Sequence, residues 1–232
     1  TEKAETVNGE THTYNYDYDL LGQLKEVRKD GTVTSAYNYS NGNRLSLVTE
    51  SGTTTGSYDD QDRLLSYGNN TYTYTKNGEL LTKTDTATSE TTSYDDVLGN
   101  LKSATLPDGT QIEYVIDGQS RRIGKKVNGT LTQGFLYLNS LKPIAELDGS
   151  NNVVSRFVYG TNGNVPDYMT KNGTTYRIIS DHLGSPRLVV DASTGQIVQQ
   201  MDYDEFGNVT TDTNPGFQPF GFAGGLYDTD TK

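Results

Sequence analysis

The sequence predicts an all-β protein: a strip of stacked antiparallel β-hairpins. Three observations predict it. Asn-Gly and Asp-Gly pairs occur ten times, where random placement of 38 Asn and Asp before 25 Gly gives roughly four. The segments between those pairs alternate with period two. A unit of about twenty residues repeats along the first half of the chain.

The turns come first. The pairs are Asn8-Gly9, Asn41-Gly42, Asn77-Gly78, Asn128-Gly129, Asn162-Gly163 and Asn172-Gly173, with Asp30-Gly31, Asp108-Gly109, Asp117-Gly118 and Asp148-Gly149. Such pairs favour two-residue hairpin turns, because both residues accept positive φ. The strands follow. Tyr14, Tyr16 and Tyr18 fall on one face, against Thr13, Asn15 and Asp17. Tyr72 and Tyr74 oppose Thr71, Thr73 and Thr75. Thr82, Thr84, Thr86 and Thr88 form a third stripe, and Ile112, Tyr114 and Ile116 a fourth. Val153, Ser155, Phe157 and Tyr159 form a fifth, and Ile197, Gln199, Met201 and Tyr203 a sixth. This is the strand period, and no segment carries a 3.6-residue stripe.

Composition agrees. Leu, Val, Ile and Phe together supply 48 of 232 residues, a thin aliphatic content beside a formal charge of −11. Seventeen Tyr and 33 Thr compensate, since both favour strands and Tyr brings a large apolar ring. The absence of Cys excludes a disulfide scaffold and Cys-based metal sites, and leaves the compartment open. No run reaches the roughly 20 apolar residues of a membrane span. Both halves are acidic, with 11 basic against 19 acidic residues to Gly124 and 8 against 11 after it. That balance argues against nucleic acid as a partner.

The repeat aligns Tyr18-Asp19-Leu20-Leu21-Gly22-Gln23-Leu24, Tyr39 to Leu45, Tyr58 to Leu64, Tyr74 to Leu80, Tyr94 to Leu101, and Tyr114 with Asp117 to Ile123. One hairpin is not stable alone, and stacked units share a continuous face. Tyr18, Tyr39, Tyr58, Tyr74, Tyr94 and Tyr114 are therefore expected to form a buried ladder.

These residues resemble the YD repeat of the Rhs (rearrangement hot spot) proteins, whose unit reads near Tyr-Asp-x-x-Gly-Arg-Leu. The division follows: YD hairpins over 1–124, about six units, and over 125–232 a segment that resembles the Rhs-associated core region. Pro143 to Gly149, Phe157-Val158-Tyr159-Gly160, Met201 to Asn208 and Phe220 to Asp228 carry that likeness. Its most distinctive run is Ser180-Asp181-His182-Leu183-Gly184-Ser185-Pro186-Arg187-Leu188-Val189. The resemblance implies a spiral β-cocoon or solenoid wall. It implies a non-enzymatic shell of a secreted or cell-surface bacterial protein, enclosing or displaying a C-terminal toxin. Its partners would be toxin cargo or further repeats of the same polypeptide, with self-association through open sheet edges. The family's cleavage motif, near Arg-x-Tyr-Asp-Pro, would lie beyond Lys232, so autoproteolysis is not carried over.

Other candidates have plainer readings. Asp181, His182 and Ser185 are too close in sequence for a hydrolytic triad, and a turn whose Asp and Ser bond local backbone fits better. His12 belongs to a Thr/Tyr strand. Gly118 to Gly124 with Lys125-Lys126 departs from phosphate-loop spacing. Asp17, Asp19 and Gly22 lack the closing Glu of a calcium loop, since Arg28 stands there. No metal and no cofactor is expected. The tyrosine face also suits carbohydrate stacking, the basis of a second reading as an adhesion or fibre-forming module. Asn69, Asn128 and Asn172 begin Asn-x-Thr glycosylation signals, without meaning in a bacterial source.

Overall fold

The computed structural model describes residues 1–7, 9–160 and 163–231. Asn8 and Asn162, which open two of the Asn-Gly pairs, lie outside the described residues. Helical structure among the described residues is one 3-10 turn at Phe222–Gly224, itself broken by Ala223 at φ 53°. Everything else regular is β, as the alternation demands.

The chain divides into two compact units, Thr1–Ser93 and Tyr94–Lys232. The first holds β1 (Glu2–Val7), β2 (Glu10–Tyr18), β3 (Leu24–Lys29), β4 (Thr32–Ser40), β5 (Asn43–Thr49), β6 (Gly52–Tyr58), β7 (Leu64–Tyr67), β8 (Asn70–Tyr74), β9 (Leu80–Asp85) and the start of β10 (Glu90–Val97). Each strand pairs antiparallel with the one before it. The second unit continues with β11 (Asn100–Thr105), β12 (Gln111–Ile116), β13 (Arg122–Val127), β14 (Thr130–Tyr137), β15 (Pro143–Asp148), β16 (Val153–Val158), β17 (Tyr168–Lys171), β18 (Thr174–Ser180), β19 (Pro186–Asp191), β20 (Ile197–Tyr203) and β21 (Val209–Asp212). From β11 onward the same neighbour-to-neighbour meander holds.

Two kinds of turn join the strands, which corrects the uniform two-residue reading. Asp30-Gly31, Asn41-Gly42, Asn128-Gly129 and Asn172-Gly173 are tight turns with both residues at positive φ. Asn77-Gly78, Asp108-Gly109, Asp117-Gly118 and Asp148-Gly149 instead fall inside five-residue turns. In these the first residue donates its N–H to the fifth carbonyl and accepts from the fourth N–H, as in 75–79, 106–110, 117–121 and 148–152. The positive φ moves to the fourth position: Gly78, Gly109, Ser120 and Asn151. Thr86 and Thr88, placed in a strand stripe by their spacing, sit in the turn after β9.

The strand register shifts where these turns begin. The shift recurs at Tyr18, Tyr58, Tyr74, Tyr137 and Tyr203, which pair with Leu24, Leu64, Leu80, Pro143 and Val209. A bulge re-aims the side chain it carries. Here it turns the motif tyrosine toward the neighbouring hairpin. Core formation is uneven. In the second unit Phe157, Val165, Met169, Ile178, Val189 and Phe220 form one cluster. Ala104, Ile112 and Tyr114 form another.

Candidate functional site: the YD turn and the C-terminal segment

The repeat motif has a local mechanism. In 59–63, Asp59 Oδ1 accepts from the N–H groups of Gln61 and Arg63. Arg63 reaches back to Asp59 Oδ2 through Nε at 2.7 Å. Asp117 and Arg121 repeat this, with Nε to Oδ2 at 2.8 Å. Asp19, Asp148, Asp181 and Asp204 cap their turns with the same pair of amide contacts. Thr75 substitutes its hydroxyl. Such bonds favour the ionised carboxylate. Asp117 is held below its ordinary pKa, first by the Arg121 side chain and then by the Arg121 amide. Asp59 is lowered first by the Arg63 amide.

The tyrosine preceding the turn links units. Tyr74 donates its hydroxyl to Leu64 O at 2.8 Å, just after the preceding five-residue turn. Tyr137 donates to Arg122 O and Tyr159 to Pro143 O, each just past the turn before it. The fifth turn residue then lies over the next tyrosine: Arg63 over Tyr74, Arg121 over Tyr137 and Lys142 over Tyr159. One Arg therefore closes its own turn and covers the next ring. That is a physical reason for the spacing Tyr-Asp-x-x-Gly-Arg.

Burial along the proposed ladder varies. Tyr114 is 2% exposed, Tyr39, Tyr58, Tyr74 and Tyr94 are half-buried, and Tyr18 is 52% exposed. The expectation of a largely buried ladder therefore fails at Tyr18, the last residue of β2, whose ring stands largely in solvent. Burial pushes the Tyr114 phenol up to about 12.

The Asp181–Arg187 run builds one more five-residue turn, 181–185, followed by the start of β19. Asp181 is the cap. His182 and Leu183 are exposed, whereas Gly184, Ser185 and Pro186 are buried. Gly184 has φ 93°, and a Cβ there would collide with the Asn164 amide. Asn164 Nδ2 donates to Leu183 O at 3.1 Å and to Ala223 O at 2.8 Å. Ser185 does not bond local backbone as its position suggests: its hydroxyl accepts from Ala223 N–H at 3.0 Å. Arg187 donates to Met201 O and to Asp202 Oδ1. The run fastens the turn 221–225 to the sheet.

Residues 214–231, beyond the last strand, complete the arrangement. Phe220 meets Phe157 edge to face at 4.9 Å, and Phe217 meets Tyr176 at 5.1 Å. Gln218 closes a local loop on Phe220 through its amide. Farther on, Lys125 Nζ donates to Asp228 Oδ1 at 2.5 Å and to Asp230 Oδ2 at 2.6 Å. Tyr114 donates its hydroxyl to Asp228 Oδ2 at 2.8 Å. Burial pushes the Asp228 carboxyl up, but Lys125, the Asp230 amide and Tyr114 outweigh it and hold it low. Spacing does not reveal these partners, which stand more than a hundred residues apart. The available signal was the non-periodic Pro-, Phe- and Gly-rich stretch 215–225.

The remaining candidates are occupied structurally. Lys125 is the clamp just described, and Lys126 pairs with Glu113 at 2.9 Å. Asp17 pairs with Arg28, and Asp19 caps its turn. His12 Nδ1 lies 2.7 Å from Asp30 Oδ2. Asn69, Asn128 and Asn172 are exposed at turns. Among the described residues no group of three or more His, Asp or Glu is placed to hold a metal, and no helix is long and apolar enough to cross a membrane.

Comparison with known proteins agrees with this geometry. Teneurin-1 of Gallus gallus is 28% identical over 94% of this chain and 8% of its own length. The tRNA3(Ser)-specific nuclease WapA of Bacillus spizizenii is 31% identical over 96% of this chain and 9% of its own length. The chain thus spans less than a tenth of these relatives. Among solved structures, the Photorhabdus luminescens Tc holotoxin pore carrying the mutation TccC3-D651A aligns over 94% of this chain and 16% of its own, at 15% identity and a TM-score of 0.42. The model of the teneurin YD-shell family matches residues 1–232, so the chain belongs to the teneurin YD-shell family.

Proposed function

We propose that this chain is a non-enzymatic wall segment of an Rhs-type secreted or cell-surface protein, enclosing or displaying a C-terminal toxin for delivery. One observation carries the reading: over a whole-chain match to a shell family, the side chains that could do chemistry are spent on joining hairpins. Asp181 caps a turn, Ser185 receives an amide, and Lys125, Asp228 and Tyr114 hold the C-terminal segment. The partners on this reading are the cargo and further repeats of the same polypeptide. Residues 125–232 act as the core region that finishes the wall.

The test is limited proteolysis of the natural reading frame that carries this segment. A domain downstream of it is expected to resist protease in the parent and to be digested in the Phe220→Ala variant. Equal digestion in both proteins, or a reading frame with no downstream domain, overturns the proposal. The second reading, adhesion through carbohydrate, is favoured by the exposed Tyr18 ring. It predicts glycan-array binding that is lost in Tyr18→Ala.

A further inference from the structure

In a meander, successive turns alternate between the two edges of the sheet. Within the second unit one edge carries the turns after β10, β12, β14, β16, β18 and β20. The other carries those after β11, β13, β15, β17 and β19. The two edges differ in chemistry. Leu98, Leu138, Leu141, Leu183 and Phe206 are all exposed, and all lie on the first edge. Leu98 is 96% and Leu141 72% exposed. Among the described residues the second edge has no exposed large apolar side chain in a turn. Its turns read Leu-Pro-Asp-Gly-Thr, Asn-Gly, Asp-Gly-Ser-Asn-Asn, Asn-Gly and Asp-Ala-Ser-Thr-Gly-Gln, with three Asp and no Lys or Arg. The same division holds inside the first unit, where Leu20 and Leu21 stand exposed in the turn after β2, and Asn69 in the turn after β7.

Side chains scattered singly on a surface need no explanation, but a row of them on one edge does. The hairpin does not require leucine there. The capping is done by Asp181, Asp204 and Asn139 through backbone amides, while the leucines point away from the turn into water. The spacing is regular: Leu98, Leu138 and Leu183 are each four strands apart, about 19 Å at the usual strand separation.

We propose that this leucine edge is a docking surface for a second copy of the chain, edge to edge in a two-fold arrangement. Three features select that occupant. A partner strip of the same hairpins has the same spacing of turn tips. A two-fold contact is self-complementary, so leucine meets leucine. Docking the leucine edge on the opposite edge would bury leucines against Asp108, Asp148 and Asp191, and joining two of those acidic edges would place like charges together. The contact is separate from pairing at the free edges of β1 and β21, and it does not rest on the shell reading.

The experiment is sedimentation equilibrium of the purified chain from micromolar to half-millimolar concentration. The parent is expected to rise from 25.4 kDa toward twice that mass. The combined Leu98→Ser, Leu138→Ser, Leu141→Ser and Leu183→Ser variant is expected to weaken dimerisation by more than about tenfold, with an unchanged far-ultraviolet spectrum and melting temperature. Asn172→Asp, on the opposite edge, is expected to associate as the parent does. A parent that stays monomeric throughout, or a dimer that survives the four substitutions in a folded protein, overturns the proposal.

Discussion

Residues 1–93 and 94–231 are built from the same turns and the same strand pairing, yet they bury different amounts. The first unit buries Val27 and Tyr37 as its fully enclosed apolar side chains, and the second buries twelve, among them Ile112, Tyr114, Phe157, Met169 and Phe220. Strand length does not explain this, since both units use strands of four to nine residues. What differs is a second layer. A sheet of hairpins has two faces, and stacking identical units buries neither completely. In the second unit residues 214–231 lie across one face, with Phe217 and Phe220 inserted and Asp228 clamped by Lys125 and Tyr114. The repeat makes the sheet, and the non-repeating segment gives it an interior.

The largest expected effect breaks that layer. Phe220→Ala removes a buried ring and should cost the second unit about 3–5 kcal/mol, read by urea denaturation, with little change in the first. Lys125→Ala leaves the buried Asp228 carboxylate without its cation and should cost about 3 kcal/mol. A loss under half of that would mean that the clamp is ornamental.

The matched pair Tyr114→Ala and Tyr74→Ala sharpens the comparison, because both occupy the ladder in different units. Tyr114, enclosed, should cost about 3–5 kcal/mol, and half-buried Tyr74 about half as much. Equal losses would show that the covering layer adds nothing to ring burial. Tyr74→Phe isolates the hydroxyl bond to Leu64 O and should cost about 1 kcal/mol.

Acid should act through Asp228. Its folded pKa is depressed, so the clamp contributes stability above the unfolded carboxylate value near 3.9, and that contribution is lost as pH falls through the lower folded value. The drop in the urea midpoint of the second unit below about pH 4 should shrink in Asp228→Asn. The turn carboxylates, lowered in both units, leave a residual acid sensitivity common to the two. At the small end, Leu20→Ser, at a fully exposed tip, should change stability by less than about 0.5 kcal/mol.

Much of the fold was legible, for a local reason. Asn-Gly and Asp-Gly pairs and period-two alternation are decided within a few residues, and they located the hairpins. The turn type was less legible. Asp117-Gly118 and Asn128-Gly129 look alike, but Asp117 opens a five-residue turn because its carboxylate can reach the third and fifth amides while Arg121 closes on it. The ladder was legible as a set of equivalent positions but not as a burial pattern, since Tyr114 owes its enclosure partly to Asp228 and Thr231. The Asp181–Arg187 run was legible as a turn. Its attachment to Ala223 through Ser185 and Asn164 was not, because neither partner carries a periodic signal.

The central claim is that the C-terminal segment, not the repeat, supplies the core. Hydrogen exchange read by mass spectrometry across the intact chain tests it most directly. Amides of β12, β13 and β16 to β20 should exchange far more slowly than those of β3 to β9, and Phe220→Ala should bring the two sets close together. Equal protection of the two sets in the parent, or an undiminished difference in Phe220→Ala, would contradict it.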